Sequence, residues 1–356
     1  MSGMGETKDP RLARLASQLL AGPPAGSPVE VVSRLLAVQA QDERGFRLAV
    51  RSRTSDLQAS DVDDALSVSR SLLVTWLNRG TLHLVTAEDY WWLHPLTAPR
   101  IVAGNERRLR QEGVDEAQTE RGVGVIVEAV VLEGPQTRHE LRRRLDDAGV
   151  PTAGQALIHL VAAASLRGYI VRGPMVGEEQ AYVSVPHWLG QPPPLLDREE
   201  ALAMLARRYL AGHGPASAQD LAKWAGIALG DARRGLTSIA DEVVESDTGS
   251  ALRTSQPEEA SFPPPRLLGA FDPLLHGWVT RELVVGEHGG VVTTNGIFRP
   301  IALAEGRAVA TWRLPGGVVT IDPLQRIAPG VLDALVDDAA DVQRFLGLEP
   351  TLVVIR

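Results

Sequence analysis

The chain has 356 residues, 44% of them hydrophobic and 22% charged, with 36 basic side chains against 44 acidic ones and a formal net charge of −8. That composition suits a globular protein of two or three domains with buried cores, and it excludes a whole-surface positive coat for nucleic acid. No cysteine is present, so disulfides and thiolate metal sites are excluded, and with no long apolar run or signal-like start the sequence points to the cytoplasm and away from a membrane.

The first block, residues 10–118, opens with apolar positions at Leu12, Leu15 and Leu19, then Val31, Val32, Leu35 and Leu36. Spacings of three and four predict amphipathic helices. The second helix is expected to run to about Val38 and to stop at Gln39-Ala40-Gln41. Asp61-Val62-Asp63-Asp64 reads as a helix start with acidic residues in its first turn. After Leu72–Leu77, the turn Asn78-Arg79-Gly80 leads into Thr81-Leu82-His83-Leu84-Val85, which alternates as a strand should. A further helix is expected from Ala87, with Trp91 and Trp92 in its core.

The next two blocks, 119–190 and 197–256, share an internal pattern. Gly134-Pro135-Gln136-Thr137 and Gly214-Pro215-Ala216-Ser217 each place a hydroxyl two residues after a Gly-Pro turn, with Leu141 and Leu221 four residues further on. The order is helix, turn, N-cap, second helix. In the earlier block a third helix over Leu157–Leu166 and a hairpin over 168–173 and 180–185 complete a winged helix. The later block's wing, Glu242–Thr254, is polar and only loosely alternating.

Proline runs at 192–194 and 263–265 mark linkers. Beyond the second, residues 262–356 are expected to hold strands at Val291–Thr294, Ile297–Leu303, Ala308–Arg313 and Val318–Ile321, closed by a helix from Gly330 to Leu346. The predicted class is α+β: tandem winged-helix (helix-turn-helix) units followed by a β-rich C-terminal domain.

The common hydrolase, nucleotide and metal motifs (GxSxG, the Walker loop, GxGxxG, HExxH) do not occur in a plausible context, and the eight histidines do not cluster at ligand spacing. No metal or cofactor is expected.

Leu36-Ala37-Val38-Gln39-Ala40-Gln41-Asp42, followed by Thr75-Trp76-Leu77-Asn78-Arg79-Gly80-Thr81-Leu82-His83, resembles the AlkZ-like family of winged-helix DNA glycosylases. The resemblance extends to Phe271-Asp272-Pro273-Leu274-Leu275 and to Asn295-Gly296-Ile297-Phe298-Arg299-Pro300, and so covers most of the chain. It implies three winged-helix units and a β-rich domain around a concave cleft for double-stranded DNA. It also implies a monofunctional glycosylase that excises bulky N7-alkylguanine and unhooks interstrand cross-links, in DNA repair or antibiotic self-resistance. The Gln-apolar-Gln form is that of the AlkZ-type branch, whereas the YcaQ-type branch carries Gln-apolar-Asp.

The resemblance makes Gln39 and Gln41 the catalytic candidates. N7-alkylation places a positive charge on guanine, so the base leaves without a strong general acid, and an amide that positions water can suffice. Two residues apart, both side chains share a face only in extended backbone, with Ala40 turned to the core. Without the companion motif the same pair reads as a solvated helix end. Arg79, Thr81, His83 and Asp272 are candidate DNA or substrate contacts, although no role is legible for Asp272. Arg107, Arg108, Arg110, Arg142, Arg143 and Arg144 are candidate phosphate contacts, or else solvated helix faces. Asp42 could serve as a base, but beside Arg44 it reads as a surface pair. The competing function is a winged-helix DNA-binding transcriptional regulator without catalysis, reading bases through Thr137–Glu140. A monomer is expected.

Overall fold

The computed structural model describes residues 9–177, 179–255 and 261–356. Residues 1–8, Glu178 and 256–260 lie outside it, and with them the last residue of the expected third winged helix. Tertiary contacts divide the chain into two units, each drawing on separated stretches. One comprises the described residues up to Val62, together with Ala203–Trp224 and Leu229–Arg356; the other comprises Asp63–Leu202 and Ala225–Ala228.

In the unit Asp63–Leu202, Asn78 at φ 56° and Gly80 at φ 84° turn the strand Leu72–Leu77 back on Thr81–Thr86 as an antiparallel hairpin. Left-handed backbone is where Asn and Gly are least strained. The helix Ala87–Thr97 follows, and it buries Tyr90, Leu93, His94 and Thr97 at helical spacing. Trp91 and Trp92 fall on the flank of that stripe and are only half-buried, which corrects their assignment to the core. Glu116–Leu132, Arg138–Asp147 and Ala156–Leu166 then lead to the hairpin of Ile170–Val176 and Glu179–Ser184, the helix, helix, helix, hairpin order expected from the sequence. Thr137 and Glu140 form a reciprocal capping box at the start of the middle helix. The two hairpins join into one sheet, because Val74 pairs with Arg172.

In the other unit, the helix Pro28–Leu35 begins at Ser27, whose hydroxyl accepts from the Glu30 N–H at 3.1 Å. The helix Glu43–Arg51 follows. The loosely patterned stretch 242–254 does form a hairpin, Val243–Ser246 with Gly249–Leu252. The C-terminal part is an open five-stranded sheet in the order Val354–Ile355, Thr320–Pro323, Arg307–Arg313, Ile301–Ala304, Arg266–Leu268. Against it lies the helix Pro329–Phe345, which buries Leu335, Ala339 and Val342.

Two expected strands are corrected here. Val291–Thr294 and the first residues of Ile297–Leu303 make only one bridge, Val292 to Phe298, and Pro300 ends the pairing for want of an N–H. Arg266–Leu268 and Val354–Ile355 are strands instead. The first hides behind a proline run and the second is only two residues long.

Candidate active site

The Gln-Ala-Gln segment lies between two helices whose ends are both fixed. The preceding helix stops at Leu35, three residues earlier than expected, because Leu36 takes φ 63° and turns the chain out of the helix. Val38–Gln39 is extended. Asp42 then caps the next helix, its carboxylate accepting from the Gly45 N–H. Asp42 is therefore an N-cap rather than the expected surface partner of Arg44.

Within that segment Gln39 is 6% exposed and Ala40 1%, while Gln41 is exposed. The two amides do share a side: Gln39 Nε2 donates to Gln41 Oε1 at 2.6 Å. A carbonyl oxygen has two lone pairs, so Gln41 Oε1 keeps acceptor capacity while Gln39 holds it in place. The result is one anchored amide and one solvent-facing amide whose orientation the first one fixes.

Buried arginines tie down the helix that follows. Arg53, wholly buried, forms a two-pronged pair with Asp272, Nη1 to Oδ2 and Nη2 to Oδ1, both at 2.9 Å. It also donates to the carbonyl oxygens of Gln18 and Ala49. Arg51 reaches Asp338 at 2.9 Å and the Leu267 carbonyl at 2.9 Å. Gly45 lies so close to the Ala270 carbonyl that a Cβ there would collide with it. The glycine thus permits a backbone contact that brings segment 269–270 against the start of the helix.

Asp272 is thereby corrected as a DNA-contact candidate. Its side chain is 0% exposed, and besides Arg53 it accepts from the Leu274 N–H at 2.9 Å. The Phe-Asp-Pro-Leu-Leu segment is a buried anchor for Arg53.

In the unit Asp63–Leu202 the remaining candidates separate. Alternation with Leu82 and Leu84 alone would put His83 on the other, open face of its strand, but that strand is covered on both faces and buries every residue from Leu82 to Thr86. Burial, reinforced by the Arg79 charge, pushes the His83 pKa down to about 3, and its Nδ1 donates to the Thr81 carbonyl at 2.9 Å. It is a neutral core histidine with no charge to offer a phosphate. The Thr81 hydroxyl is enclosed and has no hydrogen-bond partner among the described residues.

Arg79, Arg107 and Arg108 line one groove. Arg110, two residues beyond Arg108, lines a different recess together with Glu106, Asp115, Glu116 and Glu120. Arg142 and Arg143 are exposed on the helix Arg138–Asp147, whereas Arg144 is bound to Glu133 and to Gln136 Oε1. The single expected run at 142–144 is thus two exposed cations and one structural one. Sequence reading missed Arg53, for which an isolated Ser-Arg-Thr gives no signal. It also missed Arg100, whose only signal is its spacing of seven residues before Arg107. Among the described residues no group of three His, Asp or Glu is placed to hold a metal ion.

Compared with protein families, residues 32–345 match the profile described as "DNA glycosylase AlkZ-like". The chain belongs to the AlkZ-like DNA glycosylase family. Base excision from DNA is accordingly the class of activity of this AlkZ-like chain. Among solved structures, the DNA glycosylase AlkZ of Streptomyces sahachiroi is similar in fold, with a TM-score of 0.79 and 24% identity over 97% of this chain and 98% of that one. No curated protein sequence matches the chain. The α+β class agrees with that likeness. No helix among the described residues of this AlkZ-like protein is long and apolar enough to cross a membrane.

Proposed function

We propose that the chain hydrolyses the N-glycosidic bond of N7-alkylated guanine in double-stranded DNA, as a monomeric, monofunctional glycosylase with Gln39 and Gln41 as its catalytic pair. In this reading the chain is built from tandem winged-helix units over 10–118, 119–190 and 197–256 followed by a β-rich domain over 262–356. The observation that carries it is the 2.6 Å hydrogen bond from buried Gln39 to exposed Gln41. A pair of amides joined in this way makes a poor proton donor and a good fixed acceptor, which suits a leaving group that already carries positive charge.

The chemistry balances without a cofactor. As the C1′–N9 bond breaks, its electron pair neutralises the cationic base, and positive charge moves to the sugar. Water held by the Gln41 carbonyl bonds to C1′ and gives up its proton to solvent. The products are an abasic sugar and neutral N7-alkylguanine. The fixed carbonyl dipoles also favour the positive sugar in the transition state, and being already oriented they need no reorganisation at the moment of reaction.

The regulator reading finds less support. Of Thr137–Glu140, through which it would read bases, Thr137 and Glu140 are engaged with each other in the capping box, which leaves only Arg138 and His139 exposed for that role. The test is incubation with duplex DNA bearing a bulky N7-guanine adduct in excess chelator, with an N7-to-N7 interstrand cross-link as a second substrate. Base release above spontaneous depurination is expected for the adduct, and cross-link unhooking is read separately. No release across several adduct sizes would remove the proposal.

A further inference from the structure

We infer that the arginine-lined groove of the unit Asp63–Leu202 grips the phosphodiester backbone of DNA, with Arg100, Arg107 and Arg108 as its phosphate contacts and Gly104 as its open floor. The inference rests on DNA being the substrate and not on the roles of Gln39 and Gln41.

The groove measures about 620 Å³ and lies between the helices Pro99–Gln111 and Ala156–Leu166, with the Asn78–Gly80 turn at its side. Along the first helix Arg100, Gly104, Arg107 and Arg108 follow one another at steps of four, three and one, so they share a face. Arg79 adds a further cation, whereas burial lowers the pKa of His159, which also lines the groove, and favours its neutral form. Among the described residues no Asp or Glu lines the groove, although acidic residues outnumber basic ones by eight in the chain. Cations concentrated between low-dielectric walls focus a field that draws a polyanion.

Two features of the helix make little sense for stability alone. Arg100 sits in the first turn, where the helix dipole disfavours a cation, and no acidic residue accompanies it there. Gly104 sits in the middle of the helix, where glycine is destabilising relative to alanine, yet a Cβ there would meet nothing within 4 Å. Packing does not demand the glycine. What it leaves is an unobstructed floor between Arg100 and Arg107, which a sugar-phosphate chain lying along the helix would need.

The partner is a DNA strand rather than a free anion, because the arginines are spread over two helical turns instead of converging on one point. Arg110, which faces the acidic recess, takes no part.

The test is binding to undamaged duplex DNA across a salt series, using Arg100→Gln, the double variant Arg107→Gln/Arg108→Gln, and Gly104→Glu, with Arg110→Gln as the control. Each neutralised contact should weaken binding to all sequences alike and reduce the log–log salt slope by about one unit. Gly104→Glu, which has room for its side chain, should weaken binding without lowering the melting temperature. Arg110→Gln should bind as the parent does. Unchanged affinity and slope in folded Arg100→Gln and Gly104→Glu would overturn the inference, as would competition by millimolar inorganic phosphate as effective as that of duplex DNA. Excision is assayed separately: if base release is absent while the groove variants lose binding, the catalytic proposal fails and the groove stands.

Discussion

Gln39 donates its side-chain NH₂ to the Oε1 of Gln41 at 2.6 Å, from a position only 6% exposed to one that faces solvent. The two amides therefore differ in what they do. Gln41→Ala should remove the acceptor that holds water and lower single-turnover excision about tenfold to a thousandfold, or about 1.4 to 4 kcal/mol of transition-state stabilisation. Gln39→Ala should lose a comparable amount by letting Gln41 swing. The double variant should lose less than the sum, because the pair acts as a unit. Melting temperature distinguishes the two singles, since only the Gln39 change disturbs a buried site. Ala40→Val adds bulk to a position 1% exposed and should destabilise by roughly 1 to 3 kcal/mol. Excision at the parent rate in both glutamine variants would reduce the motif to a polar link between helices.

Removing Asp272 should act on folding. Asp272→Ala leaves the wholly buried Arg53 guanidinium without its counter-charge, and breaking a buried pair from one side is destabilising by about 3 to 5 kcal/mol. Denaturant unfolding should show that loss, while DNA affinity per folded molecule stays at the parent value. A stable variant with weakened DNA binding would instead return Asp272 to the contact surface.

Gly45→Ala offers a second route to the site. Alanine is ordinarily the better helix former, by about 1 kcal/mol, but here its Cβ meets the Ala270 carbonyl. The helix start must shift, and Asp42 and Gln41 lie immediately before it. The expected result is a lower melting temperature together with slower excision. A more stable variant with the parent rate would show that the contact relaxes freely.

Acid should destabilise the protein through its core histidines. Burial pushes His83 to about 3 and His94 to about 4, against 6.5 in the unfolded chain. Between about pH 6.5 and 4 the unfolded chain takes up protons that the folded chain refuses, so unfolding free energy falls as pH falls, by up to about 1.4 kcal/mol per pH unit for each histidine. Denaturant titrations at neutral and mildly acidic pH measure this slope. His94→Gln, which can still donate to the Ser165 carbonyl that accepts from His94 Nε2 at 3.0 Å, should make it shallower.

The chain determined by its sequence alone whatever depends on neighbours in sequence. The spacing of Leu and Val residues located the helices, Asn78 and Gly80 located the hairpin turn, Thr137 located a helix start, and the alternation at 170–184 located a hairpin. The Gln-Ala-Gln motif with its Trp-Leu-Asn-Arg-Gly-Thr companion was enough to suggest the family. Tertiary structure decided which polar side chains meet solvent, because that depends on what covers them. His83 alternates as a half-exposed strand residue should, yet both faces of its strand are covered. Asp272 reads as a polar turn residue, and only the fold brings Arg53 to it from 219 positions away. Arg107 and Arg110 are indistinguishable as letters, but a helix turns about 100° per residue, so one faces a groove without acids among the described residues and the other a recess lined by four. The orientation of Gln39 toward Gln41 follows the same logic: the sequence fixes a separation of two, and only the positive φ at Leu36 extends the backbone so that the two amides can touch.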